Sequence, residues 1–170
     1  MDEPTAFFVY GTLKRGQLNC SLIEPHARRI EHAYVRGQLF DVGLFPALVE
    51  GEGTVQGELV HLRAIDMPHL LSVIDRLEDF RPEDPGGSMY VRRIVEVTTA
   101  SHHLVPAYAY FYNCEHPSLP HPVTLTRLAT GEWPADEEPS IEASPAFRAF
   151  QHHVRTYRET ALAKSDAEHE

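Results

Sequence analysis

The chain has few of the features that mark several classes of protein. Two cysteines in 170 residues, Cys20 and Cys114, are too few for a disulfide-stabilised scaffold. No stretch approaches the roughly 18 uninterrupted apolar residues that a transmembrane helix needs. The 15 lysines and arginines form no cluster, and the formal net charge is -10. Neither a nucleic-acid surface nor a surface for anionic membranes is therefore expected.

What the chain does contain is typical of one globular domain, with 42% hydrophobic and 24% charged residues. For this size, a monomer is the expected state. The chain starts with Met-Asp-Glu-Pro and shows no signal-peptide pattern, so we expect a cytoplasmic location. The eleven histidines show no metal-binding spacing such as His-Glu-x-x-His, and we interpret them as surface residues.

The pattern of apolar residues predicts more strands than helices. Strands are expected at residues 6–10, 33–42, 55–62, 89–98 and 105–112, with a turn-rich piece at 43–48. The last strand alternates cleanly and places Tyr108, Tyr110 and Tyr112 on one face, where they line a pocket or form half-buried core. Strands and helices do not alternate regularly, which indicates an α+β fold with a small mixed sheet or barrel.

Two helices are expected. The first begins with Asp66 as its N-cap and Pro68 in its first turn, and ends near Phe80. The second follows an acidic, proline-containing linker and has an apolar stripe of Phe147, Phe150, Val154, Tyr157 and Ala161. We expect residues 1–135 to form the domain, and residues 136–170 to supply the linker and a helix packed on it. Contact of this stripe with a partner protein is the alternative.

Glu78 is the carboxylate that helical geometry singles out. At about 100° per residue it falls inside the apolar stripe of the first helix, whereas Asp75 and Asp79 fall outside and can face water. A carboxylate in an apolar wall is expected to have a raised pKa, which suits a general acid or base near neutral pH. The alternatives are a side chain that bends out to solvent, or a buried acid paired with Arg92 or Arg93.

A loop between two glycines, residues 11–16, follows the first predicted strand. A strand that runs into Tyr-Gly-Thr-Leu exposes successive backbone N–H groups, which can bind a carboxylate or a developing oxyanion. The loop lacks both nucleotide-binding patterns, Gly-x-x-x-x-Gly-Lys-Ser/Thr and Gly-x-Gly-x-x-Gly. An ordinary connection between a strand and a turn is the alternative interpretation.

Short motifs also follow one another in a consistent order along residues 6–135. They include Phe-Val-Tyr-Gly-Thr-Leu-Lys-Arg-Gly-Gln at 8–17, Gly-Gln-Leu-Phe-Asp-Val-Gly at 37–43, Phe-Pro-Ala at 45–47, Asp-Arg-Leu-Glu at 75–78, Tyr-Val-Arg-Arg at 90–93 and Gly-Glu-Trp at 131–133. This ordered set resembles the gamma-glutamylcyclotransferase-like family, and most closely its gamma-glutamylamine cyclotransferase branch. The resemblance implies a small mixed β-barrel with flanking helices, to which the chain would add its C-terminal helix.

The resemblance also implies a reaction, an intramolecular aminolysis that needs no cofactor. The free α-amine of a small-molecule gamma-glutamyl substrate attacks its own γ-carbonyl, which forms 5-oxoproline and releases an amine or amino acid. Both reacting groups lie on one molecule, so a site that folds the glutamyl unit gains a large proximity effect. A protein that binds a gamma-glutamyl-like ligand without turning it over is the alternative.

Residue by residue, the resemblance places the catalytic glutamate at Glu78, which would act as general acid and base. It places the substrate loop at Tyr10, Gly11, Thr12 and Leu13. Tyr90 would close the pocket or donate a hydrogen bond, although it could equally be an ordinary aromatic at the start of a strand. Many members of the family have glycine directly after the glutamate, where this chain has Asp79.

Overall fold

The computed structural model describes residues 2–42 and 45–133, and a closed five-stranded β-barrel is its main feature. The strands are β1 (Ala6–Val9), β2 (Arg29–Asp41), β3 (Pro46–His61), β4 (Tyr90–Thr99) and β5 (Leu104–Tyr112). A two-residue strand, β6 (Thr126–Arg127), pairs with β2, and the helix α1 spans Met67–Leu77. The predicted linker and C-terminal helix lie outside the described residues.

The barrel closes through the two longest strands. The strand order is β3-β1-β5-β4-β2, and the last strand in this order, β2, also pairs with the first, β3. The five strands therefore close into a barrel. The β1–β5 pair is parallel, and the other pairs are antiparallel. The prediction of an α+β fold with a small mixed β-barrel is therefore confirmed.

The alternation of side chains along β5 separates two buried clusters. Ala107, Ala109 and Phe111 belong to a cluster that consists mainly of strand residues and fills the barrel. The intervening tyrosines, Tyr108, Tyr110 and Tyr112, belong to a second cluster that contains the apolar side of α1. The predicted alternation is thus confirmed, and both faces of β5 are buried because α1 covers the outer one.

Two predicted boundaries around β3 were wrong. Residues 46–48 belong to the strand rather than to a turn, and β3 continues through Gly51 and Gly53 to His61. The cause is the long antiparallel pairing with β2. The register of this pairing shifts between Arg36 and Gln38, but both glycines lie within the same hairpin. A search for apolar patterns in a single strand does not detect that pairing.

The start of α1 also differs in detail from the prediction. Asp66 occupies the N-cap position, but its carboxylate accepts no hydrogen bond from the helix N–H groups. It accepts instead from the Arg63 side chain, at 2.8 and 3.2 Å. Position alone therefore predicted the helix start correctly, whereas the capping role assigned to the side chain was wrong.

The end of α1 comes at Leu77 rather than near Phe80, and it determines where Glu78 lies. Glu78 is the C-cap residue, and its N–H group donates to the Ile74 carbonyl at 2.9 Å. Asp79 follows with φ 52°, in the left-handed region that terminates many helices. Glycine adopts this conformation at the lowest cost and aspartate is among the next best, so aspartate suits this position.

Gly57→Ala is expected to lower the free energy of unfolding by about 1–3 kcal/mol, the usual cost of overpacking. A Cβ atom at Gly57 would lie 2.5 Å from the Val9 carbonyl oxygen and 2.7 Å from the Phe8 ring, where β1 meets β3. Urea unfolding measures the change. Gly86→Ala is the matched control, because a Cβ there meets nothing within 4 Å. Equal stability of the two variants would contradict the prediction.

Substitutions at Asp79 are expected to follow the order of left-handed propensity. Asp79→Gly should keep or raise the free energy of unfolding, by up to about 1 kcal/mol. Asp79→Val should lower it, because a β-branched residue is a strong outlier at φ 52°. Thermal and urea unfolding of the three proteins tests the order. A valine variant as stable as the parent would show that the turn carries no backbone strain.

Candidate active site

A cleft opens where β1 ends, beside the C-terminal end of α1. Its open space measures about 380 Å³, including the part that is continuous with solvent. It is lined by Phe8, Val9, Tyr10, Gly11, Thr12, Leu13, Phe45, Pro46, Glu78, Tyr90 and Tyr110. Every site residue proposed from the sequence therefore lies on the wall of one cleft.

The loop after β1 is held close to the start of β3. A Cβ atom on Gly11 would lie 2.7 Å from Cδ and 2.8 Å from Cγ of Pro46, so the chain can approach this closely only with glycine there. Asn19 fixes Thr12 from the other side, since its side-chain amide donates to the Thr12 hydroxyl at 3.0 Å. The Asn19 backbone N–H donates to the Thr12 carbonyl at 2.8 Å. The loop is thus held in place by Pro46 on one side and by Asn19 on the other.

The N–H groups of this loop remain available as donors. The hydrogen bonds found within residues 2–42 and 45–133 include none donated by the backbone N–H of Gly11, Thr12 or Leu13. All three residues are nevertheless buried, Thr12 at 8% exposure. Buried N–H groups normally find a partner, so this arrangement suits a ligand that carries a carboxylate or an oxyanion.

Glu78 is half-buried at the end of α1 and lines the same cleft. Its neighbour on the wall is Tyr110, whose pKa is raised well above 10. Burial is the largest cause of that shift, the carboxylate of Asp75 is the next, and the charge of Glu78 also contributes. The carboxylate of Glu78 is therefore close enough to Tyr110 to act on its hydroxyl electrostatically.

Asp75, which was expected to face water, points into the protein instead. The Tyr110 hydroxyl donates to its Oδ1 at 2.6 Å, and Nη1 of Arg92 donates to its Oδ2 at 2.7 Å. Only 14% of the Asp75 side chain is exposed. The expectation was wrong because it used the helix alone, whereas the partners of Asp75 belong to β4 and β5. Burial raises the pKa of Asp75, while Tyr110 and Arg92 act in the opposite direction.

The second expected solvent-facing acid, Asp79, is also mostly covered. Its side chain is 12% exposed, and its Oδ1 lies 3.8 Å from Nε of Arg81. The two arginines considered as partners for Glu78 pair with other acids, Arg92 with Asp75 and Arg93 with Glu50. The guanidinium of Arg92 also lies over the rings of Phe80 and Tyr108, at 5.4 and 5.2 Å from their centres.

Three tyrosines of the cleft, Tyr10, Tyr90 and Tyr110, donate hydrogen bonds from their hydroxyl groups to acceptors within the protein. The Tyr10 hydroxyl donates to the Tyr110 carbonyl at 2.5 Å, and the Tyr90 hydroxyl donates to the Pro46 carbonyl at 2.8 Å. Tyr90 is 1% exposed. Sequence reasoning named Tyr110 only as one of three tyrosines that line a pocket or form half-buried core, and it placed Asp75 toward water. The alternation of β5 was the available signal for Tyr110, and no signal in the sequence connected it to Asp75.

Two further observations bear on the classes considered from the sequence. Within residues 2–42 and 45–133, no three His, Cys, Asp or Glu side chains are grouped closely enough to hold a metal ion. The same part of the chain contains no helix with the length and apolar character needed to cross a membrane.

Solved structures with similar folds include two that cover most of the described residues. A mouse AIG2-like protein superposes with a TM-score of 0.59 at 23% identity, over 81% of this chain and 92% of that one. YkqA from Bacillus subtilis superposes with a TM-score of 0.55 at 25% identity, over 77% of this chain. The match spans 40% of YkqA, which is the longer protein. The likeness to the mouse protein, at 23% identity, is evidence for the fold alone.

Sequence comparison identifies the family. A curated relative, a candidate gamma-glutamylcyclotransferase of Vibrio cholerae, is 39% identical over 74 residues. That alignment covers 42% of this chain and 60% of the relative, so the chain spans less than two thirds of its length. The family model described as gamma-glutamyl cyclotransferase, AIG2-like, matches residues 7–135, the region that contains the barrel, α1 and the cleft. The chain belongs to the AIG2-like gamma-glutamyl cyclotransferase family.

Proposed function

We propose that the protein releases 5-oxoproline from a gamma-glutamyl amine or a gamma-glutamyl amino acid, with Glu78 as general acid and base. The observation that carries the proposal is the composition of the cleft. One wall supplies the carboxylate of Glu78, and another supplies the N–H groups of residues 11–13. These are the two kinds of group that an intramolecular aminolysis requires.

The proposed reaction starts from the protonated α-amine of the substrate. Glu78 removes a proton, and the nitrogen lone pair attacks the γ-carbonyl carbon of the same molecule. A C–N bond forms, and the carbonyl oxygen becomes an oxyanion that the N–H groups of residues 11–13 can stabilise. The cleft holds the two reacting groups of one molecule together, which replaces a bimolecular encounter by a positioned intramolecular step.

The second half of the reaction breaks the original amide. The protonated Glu78 gives its proton to the departing nitrogen, the oxyanion collapses, and the C–N bond to the leaving amine breaks. Glu78 then takes the second proton from the ring nitrogen, which carries two hydrogens after the attack, and passes it to the released amine, which leaves as an ammonium ion. The products are 5-oxoproline and a free amine or amino acid, and Glu78 returns to its ionised form. Every proton that moves in this sequence comes from the substrate and is returned to a product.

Glu78→Gln is expected to lower 5-oxoproline release by at least about 100-fold, the usual contribution of a general acid–base group. The amide keeps the shape of the side chain but cannot accept the proton. The measurement is 5-oxoproline release from a panel of gamma-glutamyl amines and gamma-glutamyl dipeptides, by wild type and variant. The panel also identifies the leaving amine that the cleft prefers.

Glu83→Gln is the matched control, because Glu83 is an exposed glutamate that lies outside the cleft. It should retain wild-type turnover. Full turnover by Glu78→Gln on every accepted substrate would refute the mechanism. Tight binding of the panel by the wild type without release of 5-oxoproline would instead identify a binding protein.

A further inference from the structure

The hydroxyl of Tyr110 has a definite polarity in the cleft. A phenol carries one proton to donate and lone pairs that accept. The proton of Tyr110 is directed at Oδ1 of Asp75, at a distance of 2.6 Å. Tyr110 lines the cleft, and a ligand that reaches its hydroxyl oxygen from there meets an acceptor.

Asp75 is fixed in the role of acceptor by its second partner. Arg92 donates to Oδ2 at 2.7 Å, and a guanidinium has no acceptor to offer. The guanidinium of Arg92 itself lies over the rings of Phe80 and Tyr108. Both neighbours of the Asp75 carboxylate are therefore donors. The hydrogen bond to Asp75 keeps the phenol proton directed away from the cleft.

We propose that Tyr110 accepts a hydrogen bond from the α-amino group of the gamma-glutamyl substrate, and that Asp75 and Arg92 are positioning residues that keep the phenol proton directed away from that amino group. This inference rests on the proposed function and adds an orientation to it. The amino group lies at the acceptors, Tyr110 and Glu78. The carboxylate or the oxyanion lies at the donors, the N–H groups of residues 11–13.

The orientation has a chemical consequence for the attack. Tyr110 holds one N–H of the substrate amine while Glu78 removes a second proton, and the lone pair appears in the direction from which that proton left. A ligand without the α-amine loses the contact with Tyr110. A purely structural Tyr110, whose hydroxyl serves only to satisfy Asp75, would leave discrimination for the amine unchanged.

The test compares two ligands that differ only in the α-amine. L-gamma-glutamyl methylamide has it, and glutaric acid monomethylamide keeps the carboxylate and the amide but lacks it. Dissociation constants are measured by calorimetry in the Glu78→Gln background, where 5-oxoproline is assayed in parallel. With Tyr110 present, the amine should improve binding by about tenfold or more, the size expected for a hydrogen bond to a charged group.

Adding Tyr110→Phe to this background should reduce the preference for the amine to less than about threefold, because one acceptor is lost. Tyr112→Phe is the matched control. It removes an equally short buried hydrogen bond, from the Tyr112 hydroxyl to the Pro120 carbonyl at 2.6 Å, from a tyrosine on the same face of β5. Tyr112 does not line the cleft, and the preference should stay at its original value.

Asp75→Asn tests the positioning role through the same ratio. Arg92 requires an acceptor, so the amide oxygen faces Arg92 and the NH2 group faces Tyr110. The phenol then accepts from the amide and turns its own proton toward the cleft, where it opposes the substrate amine. The preference for the amine should fall as in Tyr110→Phe. The double variant should show the same preference for the amine as Tyr110→Phe alone, because the two residues act as one unit.

The outcomes separate this inference from the proposed function. Turnover by the wild type together with an unchanged ratio in Tyr110→Phe overturns the inference alone, as does an additive effect in the double variant. A ratio that depends on Tyr110 in a protein whose wild type releases no 5-oxoproline supports the inference and overturns the reaction. Absence of binding of either ligand to all variants and to the wild type overturns both.

Discussion

The clamp on Asp75 is the interaction on which the geometry of the cleft depends. It joins the last turns of α1 to β4 through Arg92 and to β5 through Tyr110. Glu78 lies three residues further along and terminates the same helix. Because side chains three apart lie on neighbouring positions of a helix, fixing Asp75 against the barrel also fixes the direction from which Glu78 reaches the cleft.

The other wall depends on a close approach of two chain segments. β1 leaves the barrel at Val9 and passes against Pro46, at a distance that leaves no room for a side chain on Gly11. The following turn then buries three N–H groups without giving them a partner among the described residues. The barrel thus brings a set of donors, on a loop, next to a set of acceptors, on a helix and a strand.

The sequence was sufficient for the features that repeat along the chain. Alternation in β5, the apolar stripe of α1 and the ordered motifs predicted the class of fold and the residues around the cleft. It was insufficient where a partner lies far away in the chain. The inward position of Asp75, the length of β3 and the capping of Asp66 all depend on partners that local periodicity does not reveal.

The pKa of Asp75 gives a reason to regard the clamp as more than a stabilising contact. A raised pKa means that burial disfavours the ionised carboxylate more than Arg92 and Tyr110 favour it. Ion pairs that are largely removed from water often contribute no more to stability than well-packed apolar side chains of similar size. Stability alone is therefore a weak reason for an aspartate at position 75. The orientation that it imposes on the Tyr110 hydroxyl is a property that an apolar residue could not supply.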